Sequence, residues 1–183
     1  MNLGAGRVVY QDLVKINESV KDGSIGETEA LKAAFQYAKE KNKAFHFMGL
    51  VSDGGVHSHI NHLKGLISAA NKARLSQVYV HAFTDGRDTD PKSGKKFLAD
   101  LSSHLENECG EIASITGRYF AMDRDNRWER VKLAYDAMVK GEGKKMVNPL
   151  KGLDESYDDD VTDEFVKPIV KVTEKGNAEG QIK

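Results

Sequence analysis

The sequence predicts a single α/β domain with three layers, α/β/α, around a mainly parallel sheet that has room for antiparallel strands at its edges. Three short apolar runs, at residues 45–51, 78–83 and 112–116, alternate with segments whose apolar side chains recur at helical spacing. Strands separated by such helices form βαβ units, which pair in parallel and are covered on both faces. A chain of 183 residues can bury one such core without disulfides or metal ions.

The N-terminal part predicts two helices. Residues 8–20 favour a short helix, although Val8, Val9 and Tyr10 are also good strand formers. Residues 28–41 predict a second helix with Thr28 as its N-cap.

Further helices are predicted after each of the three strands. Their apolar positions are Ile60, Leu63, Leu66, Ile67 and Ala70; then Phe97, Leu98, Leu101 and Leu105; then Trp128, Val131, Ala134, Tyr135 and Met138. The last of these helices is expected to end at Gly141 and Gly143.

The C-terminal part is predicted to be less regular. Residues 157–160 suggest a solvated acidic turn, and residues 165–172 suggest an edge strand or extended segment because Pro168 interrupts them. From Thr173 the chain is polar, so residues 1–172 are expected to form the domain and residues 173–183 a tail or the start of an interdomain linker.

Composition excludes several classes of partner. Lys plus Arg (27) nearly balance Asp plus Glu (28), so no overall positive field draws the chain to nucleic acid or to an anionic membrane. The apolar runs are shorter than the ~20 residues of a membrane span. The single cysteine, Cys109, excludes an intramolecular disulfide and fits a reducing compartment. We therefore expect a cytoplasmic protein.

The three strands end in polar loops that read SDGGVHSH, TDGRDTDP and GRYFAMDRDNRW. Ligands bind at the carboxyl ends of strands in open α/β sheets, so these loops are expected to meet at one pocket.

In the first loop, His57 follows a glycine turn and precedes a helix, where free N–H groups favour an anion. The alternative is that His57 has no ligand and serves only a structural role, as a cap of the following helix or by stacking on a neighbouring side chain. A metal site formed by His57, His59 and His62 is a further alternative, although its set of ligands is incomplete. His46 and His81, within strands, suit core or pocket-wall positions.

In the second loop, Arg87 offers a planar fork for a carboxylate or phosphate, and Asp88 is a candidate acceptor of substrate hydroxyl protons. The two charges could also simply pair with each other. Asp90 is interpreted as the N-cap of a helix that starts at Pro91.

In the third loop, Arg118 and Arg124 are the best candidates to bind a phosphorylated acid, because phosphate and carboxylate both need fixed donors. The alternative is a surface lattice of salt bridges in which Arg127 and Arg130 face solvent. No GxSxG or GxxxxGK[ST] motif is present, and Cys109 has no activating neighbours, so the sequence offers no obvious nucleophile.

The segments SDGGVHSH, HAFTDGRDTDP and GRYFAMDRDNRWER, in this order and spacing, closely resemble the transferase, or substrate-binding, domain of cofactor-independent (2,3-bisphosphoglycerate-independent) phosphoglycerate mutase. The likeness extends to GAGRVVYQD and TDEFVKP, and three long motifs together are highly specific.

The resemblance implies that five residues contact the phosphoglycerate or the glycerate intermediate: His57, Arg87, Asp88, Arg118 and Arg124. Asp88 would be the base or hydroxyl anchor. A separate phosphatase domain with a serine nucleophile and two manganese or magnesium ions would carry the phosphoryl group between 3-phosphoglycerate and 2-phosphoglycerate in glycolysis or gluconeogenesis.

The family's serine, metal ligands, further arginine motif and catalytic lysine lie outside the segment that resembles this chain. The resemblance therefore implies an isolated domain that is inactive by itself. A non-catalytic module that binds a phosphorylated small acid is the alternative function.

Overall fold

The computed structural model describes residues 11–183. Helix α1 (Asp12–Lys21) agrees with the helix expected over residues 8–20, of which residues 8–10 lie outside the described part. A 3₁₀ turn (Ser24–Glu27) leads to helix α2 (Glu29–Glu40), whose N-cap is Thr28, as predicted, although the Thr28 side chain makes no capping hydrogen bond.

The central βαβ units are confirmed. They comprise β1 (Phe45–Leu50), α3 (Ile60–Lys72), β2 (Val78–Thr84), α4 (Gly94–Asn107) and β3 (Glu111–Gly117). The remaining elements are α5 (Arg118–Ala121), α6 (Trp128–Lys140), β4 (Lys144–Met146), α7 (Pro149–Asp158), a 3₁₀ turn (Asp163–Phe165) and β5 (Ile169–Lys171).

Across residues 11–183, the strands form one mixed sheet in the order β1-β2-β3-β5-β4. All neighbouring pairs are parallel except β3 with β5, which is antiparallel. The expected mainly parallel α/β domain is therefore confirmed, with one antiparallel pair inside the sheet.

The two faces of the sheet are covered differently. One face packs against α2, α3, α4 and α7 and forms the main apolar cluster, in which Ile67, Leu98, Leu101, Ile115 and Leu153 are fully buried. Side chains alternate between the faces, so Val170 points away from that cluster, toward the face where α6 contacts β3 and β5. Ala134 and Ala137 of α6 are buried.

Residues 165–172 do not form an edge strand. The strand is shorter, Ile169–Lys171, and it lies inside the sheet between β3 and β4. Pro168 lies just before the strand, so its lack of an N–H group costs the sheet no hydrogen bond. The Pro168 carbonyl accepts a hydrogen bond from Lys144 N at 2.9 Å. Strand β4, which was not predicted from the sequence, occupies the edge instead.

The acidic turn expected at residues 157–160 is partly helix. Helix α7 runs to Asp158, after a start that carries two recognisable signals: Pro149 in its first turn and Asn148, whose side chain accepts from Leu150 N at 3.0 Å. Tyr157 is half-buried rather than solvated, and its hydroxyl donates to the buried carboxylate of Asp163.

Two helix details also differ from prediction. Helix α4 begins at Gly94 rather than Pro91, because Asp90 accepts from Lys92 N and closes a separate turn. In α6, Trp128 and Tyr135 are exposed, while Ala134, Ala137 and the carboxylate of Asp136 are buried. Lys132 and Lys140 pair with that carboxylate, which makes its burial tolerable.

The division of the chain at residue 172 stays a prediction. After β5 the chain remains in contact with the domain: Val172 pairs with Ala178, and Ile182 N donates to Met138 O at 2.9 Å. In residues 11–183, no helix is long and apolar enough to cross a membrane.

Candidate functional site

The three polar loops leave the sheet at one edge. Strands β1, β2 and β3 are parallel neighbours, and Leu50, Phe83 and Thr116 lie level with one another in the register. The loops that follow therefore start side by side, as the sequence predicted. The first and second loops are in close contact, because a Cβ atom added at Gly54 would lie only 3.0 Å from Asp88 Cβ.

Asp85, the first residue after β2, connects all three loops. Its Oδ2 accepts from Ser52 Oγ of the first loop at 2.6 Å. Its Oδ1 accepts from the backbone N–H groups of Arg87 and Asp88 at 3.2 and 3.0 Å, and from Arg118 Nη1 of the third loop at 2.6 Å. A single carboxylate thus has partners in every loop.

Asp85 is only 2% exposed, so its charge depends on these partners. Burial by itself would raise the pKa of Asp85, but the hydrogen bonds from Asp88 N–H, Ser52 and Arg118 outweigh it and hold the pKa below its ordinary value. The carboxylate is therefore ionised and paired at neutral pH.

Arg118 joins Asp85 to Asp88. The same Nη1 that donates to Asp85 also donates to Asp88 Oδ2 at 2.8 Å, so both hydrogens of this nitrogen are used. His57 Nε2 lies 3.8 Å from the same Asp88 oxygen. Three of the five predicted site residues, His57, Asp88 and Arg118, therefore form one cluster.

Arg87 is positioned by a more distant part of the chain. Its Nη1 lies 3.7 Å from Glu164 Oε1, in the 3₁₀ turn before β5. Thr84 Oγ1 fixes that turn by donating to Asp163 O at 2.7 Å. Gly86, at φ +66°, lets the turn pack closely, because a Cβ there would lie 2.9 Å from Glu164 N.

A cleft of about 150 Å³ opens at this edge. The predicted residues His57, Arg87, Arg118 and Arg124 line it, together with Tyr119 and Glu164. Arg118 is nearly buried at the base of this group, whereas His57, Arg87 and Arg124 are exposed. Among residues 11–183, Arg124 makes no salt bridge within 4 Å, so its guanidinium is available to a ligand.

The salt-bridge lattice that the sequence offered as an alternative exists, but Arg130 forms it. Arg130 Nη1 donates to Asp123 at 3.1 Å and to Asp125 at 3.2 Å, and its guanidinium lies 3.9 Å from the ring centre of Tyr119. Arg130 therefore lines the cleft as a paired group instead of facing solvent. Arg127 is exposed outside the cleft.

The three histidines of the alternative metal site have three different partners. His57 faces Asp88, His59 Nδ1 accepts from Asn61 N at the start of α3, and His62 Nε2 lies 2.6 Å from Asn17 Oδ1. Within the described part of the chain, no group of three or more His, Cys, Asp or Glu side chains could hold a metal ion. These residues do not fit a metal site.

Two important residues escaped the sequence analysis. Asp85 carried a usable signal, since an Asp before Gly, directly after a buried strand, often accepts hydrogen bonds from the N–H groups that follow. Glu164 carried no local signal, because it reaches Arg87 only through the fold.

Comparison with known proteins identifies the family. A family model described as "BPG-independent PGAM N-terminus" matches residues 16–183. The chain belongs to the BPG-independent phosphoglycerate mutase family. The resemblance carried by the three loops is thus confirmed.

Relatives in this family are similar along nearly the whole chain. The 2,3-bisphosphoglycerate-independent phosphoglycerate mutase of Flavobacterium johnsoniae is 60% identical over 95% of this chain. That of Bacteroides thetaiotaomicron is 55% identical over 100% of it. The chain spans 34% and 36%, respectively, of the lengths of these two proteins.

A solved phosphoglycerate mutase of Leishmania mexicana, crystallised at low cobalt concentration, has the same fold. It is 32% identical with a TM-score of 0.88, and the match covers 97% of this chain and 34% of that one. The family's N-terminal segment, and with it the α/β domain, is therefore shared between these proteins.

Proposed function

We propose that this chain is the substrate-binding half of a phosphoglycerate mutase that interconverts 3-phosphoglycerate and 2-phosphoglycerate. It would hold glycerate while a separate phosphatase domain carries the phosphoryl group. The observation that supports this proposal is the cleft at the strand ends, which is lined by His57 of the first loop and by arginines of the second and third loops. The partly exposed carboxylate of Asp88 lies beside these residues, bonded to Arg118 and 3.8 Å from His57.

The arginines suit the anionic ends of the substrate. Arg118 uses both Nη1 hydrogens on Asp85 and Asp88, so Nε–H and the two Nη2 hydrogens remain for a ligand. Arg87 and Arg124 are exposed and can close on phosphate or carboxylate oxygens from the rim. His57 adds a ring nitrogen on the side of Asp88.

Asp88 is the proposed catalytic residue of this half. Its Oδ2 is held by Arg118, while the side chain is still 17% exposed. A carboxylate fixed on one oxygen can accept a hydrogen bond from a substrate hydroxyl on the other. Asp88 would therefore anchor the hydroxyl that receives the phosphoryl group, or take its proton, as glycerate reorients between transfers.

The phosphoryl chemistry itself is assigned to the other domain. In the described residues, Cys109 is the only thiol, and burial raises the pKa of that thiol, which makes it a poor nucleophile. The proposal therefore places the serine nucleophile and the two divalent metals, manganese or magnesium, in the phosphatase domain. The chain alone would be inactive and, as part of a glycolytic enzyme, cytoplasmic.

Titration of the chain with 3-phosphoglycerate, followed by NMR shifts, tests the binding role. Shifts are expected at the three loops, and Arg118→Ala should abolish them. Shifts confined to other surfaces would contradict a common pocket.

Complementation separates an enzyme half from a simple binding module. The pure chain should not isomerise 3-phosphoglycerate, whereas adding the separately produced phosphatase domain of a relative should give measurable 2-phosphoglycerate. Binding without any complementation would favour a non-catalytic module for a phosphorylated acid, and isomerisation by the chain alone would contradict the proposed division.

A further inference from the structure

We propose that Asp85 is a positioning residue that stops Arg118 and Asp88, which share one hydrogen bond, from closing into a two-bond ion pair, so that both can still contact the substrate; this inference rests on the proposed function. The side chain of Asp85 is 2% exposed, whereas that of Asp88 is 17% exposed, so Asp85 has almost no surface that a ligand could contact. It acts only through groups that it holds.

The geometry shows what Asp85 prevents. When no other group constrains them, an arginine and a carboxylate frequently form a bidentate pair with two parallel hydrogen bonds. Here Arg118 gives Asp88 only one hydrogen of Nη1, because the other is directed to Asp85 Oδ1 at 2.6 Å. Asp85 also receives the backbone N–H of Asp88 at 3.0 Å, which fixes the loop beneath the second carboxylate.

Without Asp85, Arg118 and Asp88 would form an ion pair with two hydrogen bonds instead of one. Without the charge on Asp85, Arg118 would turn to meet Asp88 with two nitrogens. The guanidinium would then lose donors for the substrate's anionic groups, and Asp88 would lose the oxygen meant for a hydroxyl. The three-group arrangement thus keeps both residues available to a ligand.

Asp85 is itself held from two sides. Ser52 Oγ donates to Oδ2 at 2.6 Å, while the backbone N–H groups and Arg118 use Oδ1. The carboxylate therefore cannot rotate without breaking contacts to the first loop. Ser52, which is fully buried, is the point through which that loop contributes to the orientation of Arg118.

A double-mutant cycle tests this mechanism, with inorganic phosphate and 3-phosphoglycerate as probes. Asp85→Asn should weaken the binding of both by about tenfold or more, the size expected when a charged hydrogen-bond partner is lost. In the double variant Asp85→Asn/Asp88→Asn, the closed pair cannot form, so phosphate affinity should return to within about threefold of Asp88→Asn alone.

Rescue by the second substitution is the decisive result, since a merely structural defect at Asp85 would not be repaired by changing Asp88. A double variant as weak as Asp85→Asn, or an Asp85→Asn protein that binds both probes normally, would overturn the proposal. If Asp85→Asn does not fold, Ser52→Ala removes one anchor and should weaken binding by a smaller factor, whereas unchanged binding would count against the proposal.

A readout without ligand keeps this inference separate from the proposed function. The guanidinium ¹⁵N resonances of Arg118 should show slow rotation and slow hydrogen exchange in the parent chain. They should change in Asp85→Asn even if the parent chain binds no phosphoglycerate. Unchanged Arg118 resonances would overturn the positioning role, whereas absent phosphoglycerate binding by the parent chain would overturn only the proposed function.

Discussion

The imidazole rings of His46 and His81 are nearly parallel, and Nδ1 of His46 lies 3.1 Å from Nε2 of His81. His81 Nδ1 continues the row to Ser114 Oγ at 2.8 Å. The row crosses β1, β2 and β3, below the loops of the candidate site. His81 is 1% exposed, so its ring is a satisfied core group, as one of the sequence interpretations held.

The buried row predicts a loss of stability in mild acid. Burial, with a smaller contribution from His46, lowers the pKa of His81 to about 4. Between that value and the unfolded value of about 6.5, the unfolded chain binds a proton that the native chain does not, so stability falls as pH falls. Urea unfolding should show a loss of about 2 kcal/mol from this group between pH 7 and pH 4.5.

The variant His81→Gln should flatten that slope, although it will also lower stability at pH 7. His59→Gln is the matched control, because His59 lies outside the row. An unchanged slope in His81→Gln would show that other groups cause the acid sensitivity.

Arg124 should contribute to binding without contributing to stability. It lines the cleft and makes no salt bridge with any described residue, so Arg124→Ala is expected to weaken 3-phosphoglycerate binding by about tenfold while changing the free energy of unfolding by less than about 0.5 kcal/mol. Calorimetric titration and thermal unfolding measure the two effects.

Arg127→Ala provides a control of equal charge change three residues away. Arg127 is exposed but lies outside the cleft, so its loss should leave the affinity close to that of the parent chain. Equal losses in both variants would point to general electrostatic attraction rather than to direct contact.

Asp88 should determine selectivity for the substrate hydroxyl. Asp88→Asn removes a negative charge from an anion site, so inorganic phosphate should bind at least as well as to the parent chain. Preference for 3-phosphoglycerate over 3-phosphopropionate, which lacks the 2-hydroxyl, should fall from about tenfold to threefold or less, because the hydroxyl loses a charged acceptor.

Competition titrations with the two acids measure this preference. If Asp88→Asn keeps the full preference, Asp88 is not the hydroxyl acceptor.

Gly86 should be required for the close approach of the 3₁₀ turn to the second loop. Gly86 and Gly176 both have positive φ, +66° and +80°, but only Gly86 has neighbours where a Cβ would lie, at 2.9 Å from both Asp163 Cβ and Glu164 N. Gly176→Ala is expected to cost about 1 kcal/mol from backbone strain alone. Gly86→Ala should cost about 1–3 kcal/mol more, since the turn must move.

Chemical denaturation of both variants gives the comparison. Gly86→Ala should also shift the Arg87 and Glu164 resonances. Equal losses of unfolding free energy in the two variants would mean that the 3₁₀ turn can move away from residue 86 at no energetic cost.

The central elements were predictable because their signals are local. Apolar periodicity indicated β1 through β3 and the helices between them, and parallel pairing then required the three loops to meet. Helix α7 carried signals at Asn148 and Pro149 that the sequence analysis passed over. In α6, Trp128 and Tyr135 of the predicted apolar positions are exposed, whereas Asp136, which was not among those positions, is buried with two lysine partners.

The sequence by itself determined the α/β class, the family, and which loops carry His57, Arg87, Asp88, Arg118 and Arg124. These features depend on residue type and spacing along the chain. Only the tertiary structure decided that β5 lies inside the sheet and that Glu164 meets Arg87. It also decided that Asp85 connects Ser52, Asp88 and Arg118. Those relationships join residues far apart in the chain, where packing and the geometry of buried charges, rather than local preference, select the partners.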